Sequence, residues 1–349
     1  MRLASIVGAR PQFVKLAAVS SAVRQRHDEI IIHTGQHYDY NMSMLFFDEL
    51  TIPAPDYHLG VGPGSHGVQT GRMLEAIELV LAKERPDWVI VYGDTNSTLA
   101  GALAAAKVRI PVAHVEAGLR SFNRAMPEEI NRVVTDHISD RLFCPVEAAR
   151  RQLGDEGIAQ NVEVVGDVMY DMLLRVRSKL GTRARELLPY LGVSPQNYVL
   201  VTVHRASNTD DPEAIRAIAH ALNRLELPVI FPVHPRTRAC LERAGIVWER
   251  HVQLIEPVGY LDMLALEREA YRIFTDSGGV QKEAFLLGVP CVTLREETEW
   301  IETVQAGWNT LVGNHCREML NAMRRPKPQA PERNPFGEGD AAIRIARSW

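Results

Sequence analysis

The stretch DWVIVYGDTNSTLAG, residues 87–101, decides the fold. Trp88 to Tyr92 is an unbroken apolar run that reads as a strand; it stops at Gly93 and passes through polar DTNST into a helical pattern. A strand that is apolar on both faces is buried on both, and that requires a parallel sheet covered by helices.

The same pattern recurs on either side. Upstream lie LASIVG (3–8) and EIIIHTG (29–35); downstream lie VAHVEAG (112–118), DRLFCP (140–145) and VEVVGDV (162–168). A second series follows: YVLVTVHR (198–205), PVIFPVHP (228–235), VQLIEPV (252–258), YRIFTDSGG (271–279), VPCVTLR (289–295) and WNTLVG (308–313). Two series predict an α/β protein of two Rossmann-like, doubly wound domains facing across a cleft. The first takes residues 1–168 plus a returning tail, 335–349, and the second takes 169–334. PKPQAPERNP (326–335) reads as a linker, and a last helix over 340–349 is expected to pack on the first domain through Ile343 and Ala346.

Composition narrows the function. A chain of 349 residues exceeds one ordinary core, and 46% hydrophobic with 23% charged residues describes a soluble globular protein. A net charge of −4 argues against a broad nucleic-acid surface. Cys144, Cys240, Cys291 and Cys316 form no CxxC pair, so neither a metal site nor a disulfide framework is expected. Arg10, Pro11 and Lys15 break the first apolar run, which excludes a signal peptide, and no run is long enough for a membrane span. A cytoplasmic enzyme is the expectation.

Ligands of open α/β sheets sit beyond the carboxyl ends of the strands. Here the strands end in GARPQFVK, GQHYD, GDTNST, HVEAGLRS, HRASN, HPR and DSGGVQKE, too many polar ends at one side for chance turns. In TDSGGVQKEA (275–284), Ser277, Gly278 and Gly279 bring backbone N–H groups to a helix start, the natural seat of a phosphate, and Glu283 lies one turn on, suited to ribose hydroxyls. Arg10 offers a planar fork for phosphate, with Lys15 about a turn later. GPGSHG (62–67) matches GxGxxG but follows no buried strand, so no nicotinamide is expected. In MPEEINR (126–132), helical spacing puts Glu128 with Asn131, Arg132 and Thr135, and Ile130 and Val134 on the opposite face, toward a core. Glu128, Glu116 and Asp94 then form a set of carboxylates suited to acid/base work, with His204 ending a strand of the second domain.

GARPQFVK, GQH, YGDTNSTLAG, HVEAGLRS, MPEEINR, VHR, DSGGVQKEA and GVPCVTLREETE recur in order across almost the whole chain, and together they resemble the non-hydrolysing UDP-N-acetylglucosamine 2-epimerases. The resemblance implies a GT-B architecture and a homodimer, with UDP held mainly by the second domain and the sugar in the cleft. It implies catalytic roles for Asp94, Glu116, Glu128 and His204. Substrate contacts are expected from Arg10, Lys15, Gln36, Arg132, Arg205, His234, Ser277, Gly278, Gly279, Glu283 and Arg295. The partners are then a UDP-sugar and UDP, with neither metal nor cofactor, nucleic acid nor membrane. GARPQ in place of GTRPE, HRAS in place of HRRE, and GQH in place of AQH resemble a subgroup acting on UDP-2,3-diacetamido-2,3-dideoxyglucuronic acid.

The expected reaction converts UDP-GlcNAc to UDP-ManNAc through elimination and re-addition of UDP. Three alternatives stay open on the sequence: the same 2-epimerisation on UDP-2,3-diacetamido-2,3-dideoxyglucuronic acid, a GT-B glycosyltransferase using the same nucleotide site, and a non-catalytic sugar-nucleotide sensor.

Overall fold

The computed structural model describes residues 1–36 and 40–349, with only the backbone described at 40–44 and 236. His37, Tyr38 and Asp39 of the GQHYD turn lie outside the described residues. The chain divides into two compact units, Met1–Arg175 with Asn334–Trp349, and Val176–Arg333.

The first unit is built on seven parallel strands: β1 (Arg2–Val7), β2 (Asp28–His33), β3 (Tyr57–His58), β4 (Trp88–Tyr92), β5 (Val112–Val115), β6 (Arg141–Cys144) and β7 (Val162–Val164). Their order is β3-β2-β1-β4-β5-β6-β7. Ile6, Ile32, Val89 and Val91 pack against Met73, Ile77 and Leu81 of helix His66–Glu84 and the alanines of helix Asn96–Lys107. Those small side chains let the second helix lie close to the sheet, and each fully buried Val or Ile contributes about 1.5–3 kcal/mol. β3 is a two-residue edge strand that the sequence pattern does not announce.

The second unit holds β8 (Val199–Thr202), β9 (Val229–Pro232), β10 (Val252–Ile255), β11 (Arg272–Thr275), β12 (Cys291–Thr293) and β13 (Asn309–Leu311), all parallel. Their order is β10-β9-β8-β11-β12-β13. Alternation is strict: Val199 and Val201 enter one apolar layer with Phe231 and Ile215, while Tyr198 and Leu200 enter the other with Ile230 and Leu266. Each sheet therefore reverses direction once, between β1 and β4 and between β8 and β11. Those switch points are where an open α/β sheet has room for a ligand.

The last helix, Ala341–Arg347, packs on helix Arg10–Val23 of the first unit. Its buried side is Ala341, Ala342, Ile345 and Ala346. Ile343 is 46% exposed, which corrects the expectation that it anchors the helix. The true stripe follows the 3.6-residue period from Ala341 and Ala342, and Ile343 falls between its rows. Among the described residues, no helix is long and apolar enough to cross a membrane.

Candidate functional site

In the first unit the motifs after β1 and β4 meet at the switch point. Gln12, fully buried at the start of helix Arg10–Val23, accepts the N–H groups of Gly8 (2.8 Å) and Ala9 (3.0 Å) on its side-chain oxygen. Its amide nitrogen donates to the Tyr92 carbonyl (3.0 Å) and to Thr98 Oγ1 (3.1 Å), locking the β1 and β4 loops together. Lys15, buried beneath them, forms an ion pair with Glu116. Glu116 takes a left-handed φ of 72°, a conformation costly for a non-glycine residue and held here by its surroundings.

Asp94 pairs with Arg132, whose Nε and Nη2 donate to Oδ2 at 3.0 and 2.6 Å. Arg132 also reaches Glu129 at 2.8 Å, and Asn131 Nδ2 donates to the Asp94 carbonyl at 2.9 Å. Glu129 accepts the N–H groups of Ser121 and Phe122, both at 2.9 Å. Burial raises the Glu129 carboxyl, but the Ser121 N–H, Arg132 and the Phe122 N–H outweigh it and hold the group below the usual range. Helix Pro127–Ile138 thus buries Glu129, Asn131, Arg132, Thr135 and Asp136, while Ile130 and Val134 are only partly buried. The expectation that Ile130 and Val134 face a core is corrected: ion pairs and hydrogen bonds fill the interior side of this helix. Glu128 is partly buried one position before Glu129.

Gln36 turns its side-chain oxygen onto the N–H (3.0 Å) and Oγ (2.7 Å) of Ser97 at the start of helix Asn96–Lys107. Arg10 is partly buried, its guanidinium carbon 5.9 Å from the Phe46 ring centre.

In the second unit the switch point gathers His204 and Arg205 after β8 with Asp276, Ser277, Gly278 and Gly279 after β11. Asp276 is the hub that the sequence reading left without a role. Its buried carboxylate accepts the backbone N–H of His204 at both oxygens (3.1 and 3.0 Å), that of Arg205 (2.9 Å) and Asn208 Nδ2 (3.1 Å). It also lies 2.7 Å from His204 Nδ1. Burial raises Asp276, yet His204, the Arg205 N–H and Asn208 bring it below its usual value. An ionised Asp276 fixes the proton of His204 on Nδ1 and leaves Nε2 at the half-exposed end of the ring.

Ser277 caps helix Gly278–Leu287, its hydroxyl accepting the Val280 N–H at 3.5 Å. A Cβ on Gly278 would lie 2.2 Å from Glu299 Oε1, so only glycine lets that carboxylate approach the helix start. Glu299 is paired with Arg295 at 2.9 Å and lies 4.0 Å from Arg205. Its carboxylate thus sits beside the start of helix Gly278–Leu287. Glu283 is buried on the same helix, and His234 is exposed after β9. Glu267, fully buried, is pushed well above the usual range, first by burial and then by the charge of Glu283. The sequence reading passed over Glu299, although its place in the quoted GVPCVTLREETE was a signal.

These carboxylates predict a pH dependence of stability. Glu129, Asp136 and Asp276 all sit below their ordinary values, so the stability they add is complete above roughly pH 4 and is lost as pH falls through their folded values. Glu267 runs oppositely, since its folded form is protonated and it costs stability as pH rises above that range. Denaturant midpoints measured from about pH 6 down to about pH 3 should fall, and Asp136→Asn should flatten the curve.

Two α/β units, one with ion-paired carboxylates at its switch point and one with Asp276 and a serine-capped helix start at its own, define a two-domain α/β protein. Residues 21–349 match the sequence model of the family described as UDP-N-acetylglucosamine 2-epimerase, and the chain belongs to that family. It is 54% identical to a UDP-N-acetylglucosamine 2-epimerase homolog of Methanococcus maripaludis, covering 99% of this chain and 98% of that protein. It is 50% identical, over the same shares, to the UDP-2,3-diacetamido-2,3-dideoxy-D-glucuronate 2-epimerase of Pseudomonas aeruginosa. The crystal structure of Methanocaldococcus jannaschii UDP-GlcNAc 2-epimerase in complex with UDP-GlcNAc and UDP superposes with a TM-score of 0.93 at 45% identity, covering 99% of both chains.

Proposed function

We propose that this chain epimerises UDP-GlcNAc to UDP-ManNAc at C2 by eliminating and re-adding UDP. The observation that carries the reading is the pair of carboxylates flanking Gly93, Asp94 and Glu116, each matched to a buried cation, Arg132 and Lys15. The C2 proton has no neighbouring carbonyl, so removing it alone is slow. A carboxylate takes that proton as the C1–O bond to UDP breaks, and the C2–H electrons form a C1–C2 alkene, a glycal. UDP then adds back to C1 while a second acid protonates C2 from the other face. Asp94, Glu116 and Glu128 are the acid/base set, with His204 and Arg10 stabilising the departing diphosphate. Ser277, Gly278, Gly279 and Glu283 hold the nucleotide. The names of the relatives and the ligands of the M. jannaschii structure support the reading. A cytoplasmic homodimer belongs to the same proposal.

Turnover of UDP-GlcNAc in deuterated water tests it. Deuterium at C2 of product, with traces of glycal and UDP, is expected; free sugar as product, or no incorporation, overturns it. The P. aeruginosa relative makes the diacetamido uronate the second substrate to compare. A several-hundredfold preference for the uronate, roughly 3–4 kcal/mol, would replace UDP-GlcNAc as the substrate.

Glu283→Ala is expected to raise the dissociation constant of UDP and KM about tenfold or more with kcat little changed, because a ribose contact is made equally in ground and transition states. Isothermal titration with UDP beside steady-state kinetics measures both; a loss confined to kcat contradicts the assignment.

A further inference from the structure

His114 lies two residues before Glu116 and is fully buried on β5. Its ring is held at both ends: Nδ1 is 2.7 Å from Asp136 Oδ1, and Nε2 is 2.7 Å from the Gly93 carbonyl oxygen. A carbonyl oxygen only accepts, so Nε2 carries a hydrogen. Asp136 accepts the Gly118 N–H (3.1 Å) and Arg120 Nη1 (2.7 Å) on Oδ2; burial raises its carboxyl, but His114 and Arg120 hold it below its usual range, as an ionised carboxylate. Nδ1 must then donate as well. A ring that donates from both nitrogens is an imidazolium.

The surrounding charges balance. Arg120 also grips Glu156 through two bonds of 2.7 Å, so two cations, His114 and Arg120, face two anions, Asp136 and Glu156. His137 lies 3.9 Å from the same Glu156, and Cys144 of β6, near Asp136, is raised by burial and stays a neutral thiol. On the far side of Gly93 stand Lys15 and Glu116: a Cβ on Gly93 would come within 2.6 Å of Lys15 Nζ and 3.5 Å of Glu116 Oε1. Gly93 itself takes a left-handed φ of 62°, and its N–H donates to the Val115 carbonyl at 2.9 Å. His114 thus grips the peptide group that joins Gly93 to Asp94.

We propose that His114 is a positioning residue held as an imidazolium, whose bond to the Gly93 carbonyl sets the turn that presents Asp94 beside the Lys15–Glu116 pair. It touches no substrate and acts through Gly93. A fixed charge there does what a neutral ring does not: it donates to Gly93 and to Asp136 at once, so the turn is tied through Asp136 to helix Pro127–Ile138, which carries Arg132. Both partners of Asp94, the turn behind it and the guanidinium before it, are then set by one network. The kinetic part of the assignment rests on the acid/base reading of Asp94 and Glu116; the charge part does not.

The test begins with the intact enzyme labelled with nitrogen-15 histidine, the His114 signals being assigned by their absence in His114→Gln. In the resting enzyme both His114 nitrogens are expected to show bound hydrogens and imidazolium shifts, as their two acceptors require. A neutral tautomer there overturns the proposal, and His114→Asn supplies the assignment should His114→Gln not fold. In kinetics, His114→Gln and His114→Asn are expected to lower kcat about a hundredfold with KM and UDP affinity within about threefold, because the acid/base geometry is lost and the nucleotide site is not. Equal kcat in both variants and wild type overturns the positioning role. If Asp94→Asn also leaves kcat unchanged, the acid/base reading has failed, while the nitrogen-15 spectrum still judges the charge.

Discussion

Asp94→Asn is expected to lower kcat by about 10²–10⁴-fold while circular dichroism and UDP affinity stay close to those of the parent enzyme. The substitution keeps the size of the side chain and its ability to accept from Arg132, so the ion pair is weakened without opening a cavity. What it removes is a carboxylate able to exchange a proton at the edge of the Gly93 turn, where the side chain is 28% exposed and open to a ligand. Glu116→Gln and Glu128→Gln belong to the same experiment. The three are not expected to be additive, because groups that serve one reaction as a unit lose most of the rate with the first removal. A kcat within a fewfold of the parent for Asp94→Asn would remove it from the chemistry.

Arg132→Met carries the largest expected cost in stability, about 3–5 kcal/mol by urea denaturation. Arg132 is 2% exposed and is the cation between Asp94 and Glu129. Methionine fills much of its volume but leaves Glu129 buried with only its hydrogen-bond donors from Ser121 and Phe122. A buried carboxylate that loses its counter-charge is the costly case, whereas exposed ion pairs such as Arg150–Glu147 matter little. Adding Glu129→Gln to the variant should recover part of the loss. A cost below about 1 kcal/mol for Arg132→Met would show that the polar face of helix Pro127–Ile138 is not what holds it to the sheet.

The twelve longer strands were legible because most are short apolar runs ending in glycine or a polar residue, and such runs have one stable placement in a parallel sheet; β7 (VEV), β10 (VQLI) and β13 (NTL) carry polar residues within them. β3 was not, since two residues carry no pattern. The face of helix Pro127–Ile138 was misread for a physical reason: helical spacing tells which residues share a side, but not which side is inward when charges can satisfy one another there. Asp136 and Asp276 escaped a role because their partners lie far off in sequence, His114 being 22 positions from Asp136 and His204 72 from Asp276. Local pattern reports periodicity and turns; it does not report which distant polar groups will be brought within 3 Å. Recognition of the motifs in order supplied what spacing alone did not.

The return of the last helix has a consequence for how the molecule is made. Val176–Arg333 is one uninterrupted piece of chain, whereas the other unit needs both Met1–Arg175 and Asn334–Trp349. On a ribosome the first unit has all seven of its strands by Val164, yet its last helix is made only after the whole interior piece. Until Ala341 and Ala342 emerge, Asp171 lacks the two backbone N–H groups it receives from them, at 3.3 and 2.7 Å. Helix Arg10–Val23 meanwhile keeps the surface meant for Ile345 and Ala346 in water. A seven-residue helix is too short to form by itself and folds only onto that waiting surface. The unit begun first is thus the one completed last.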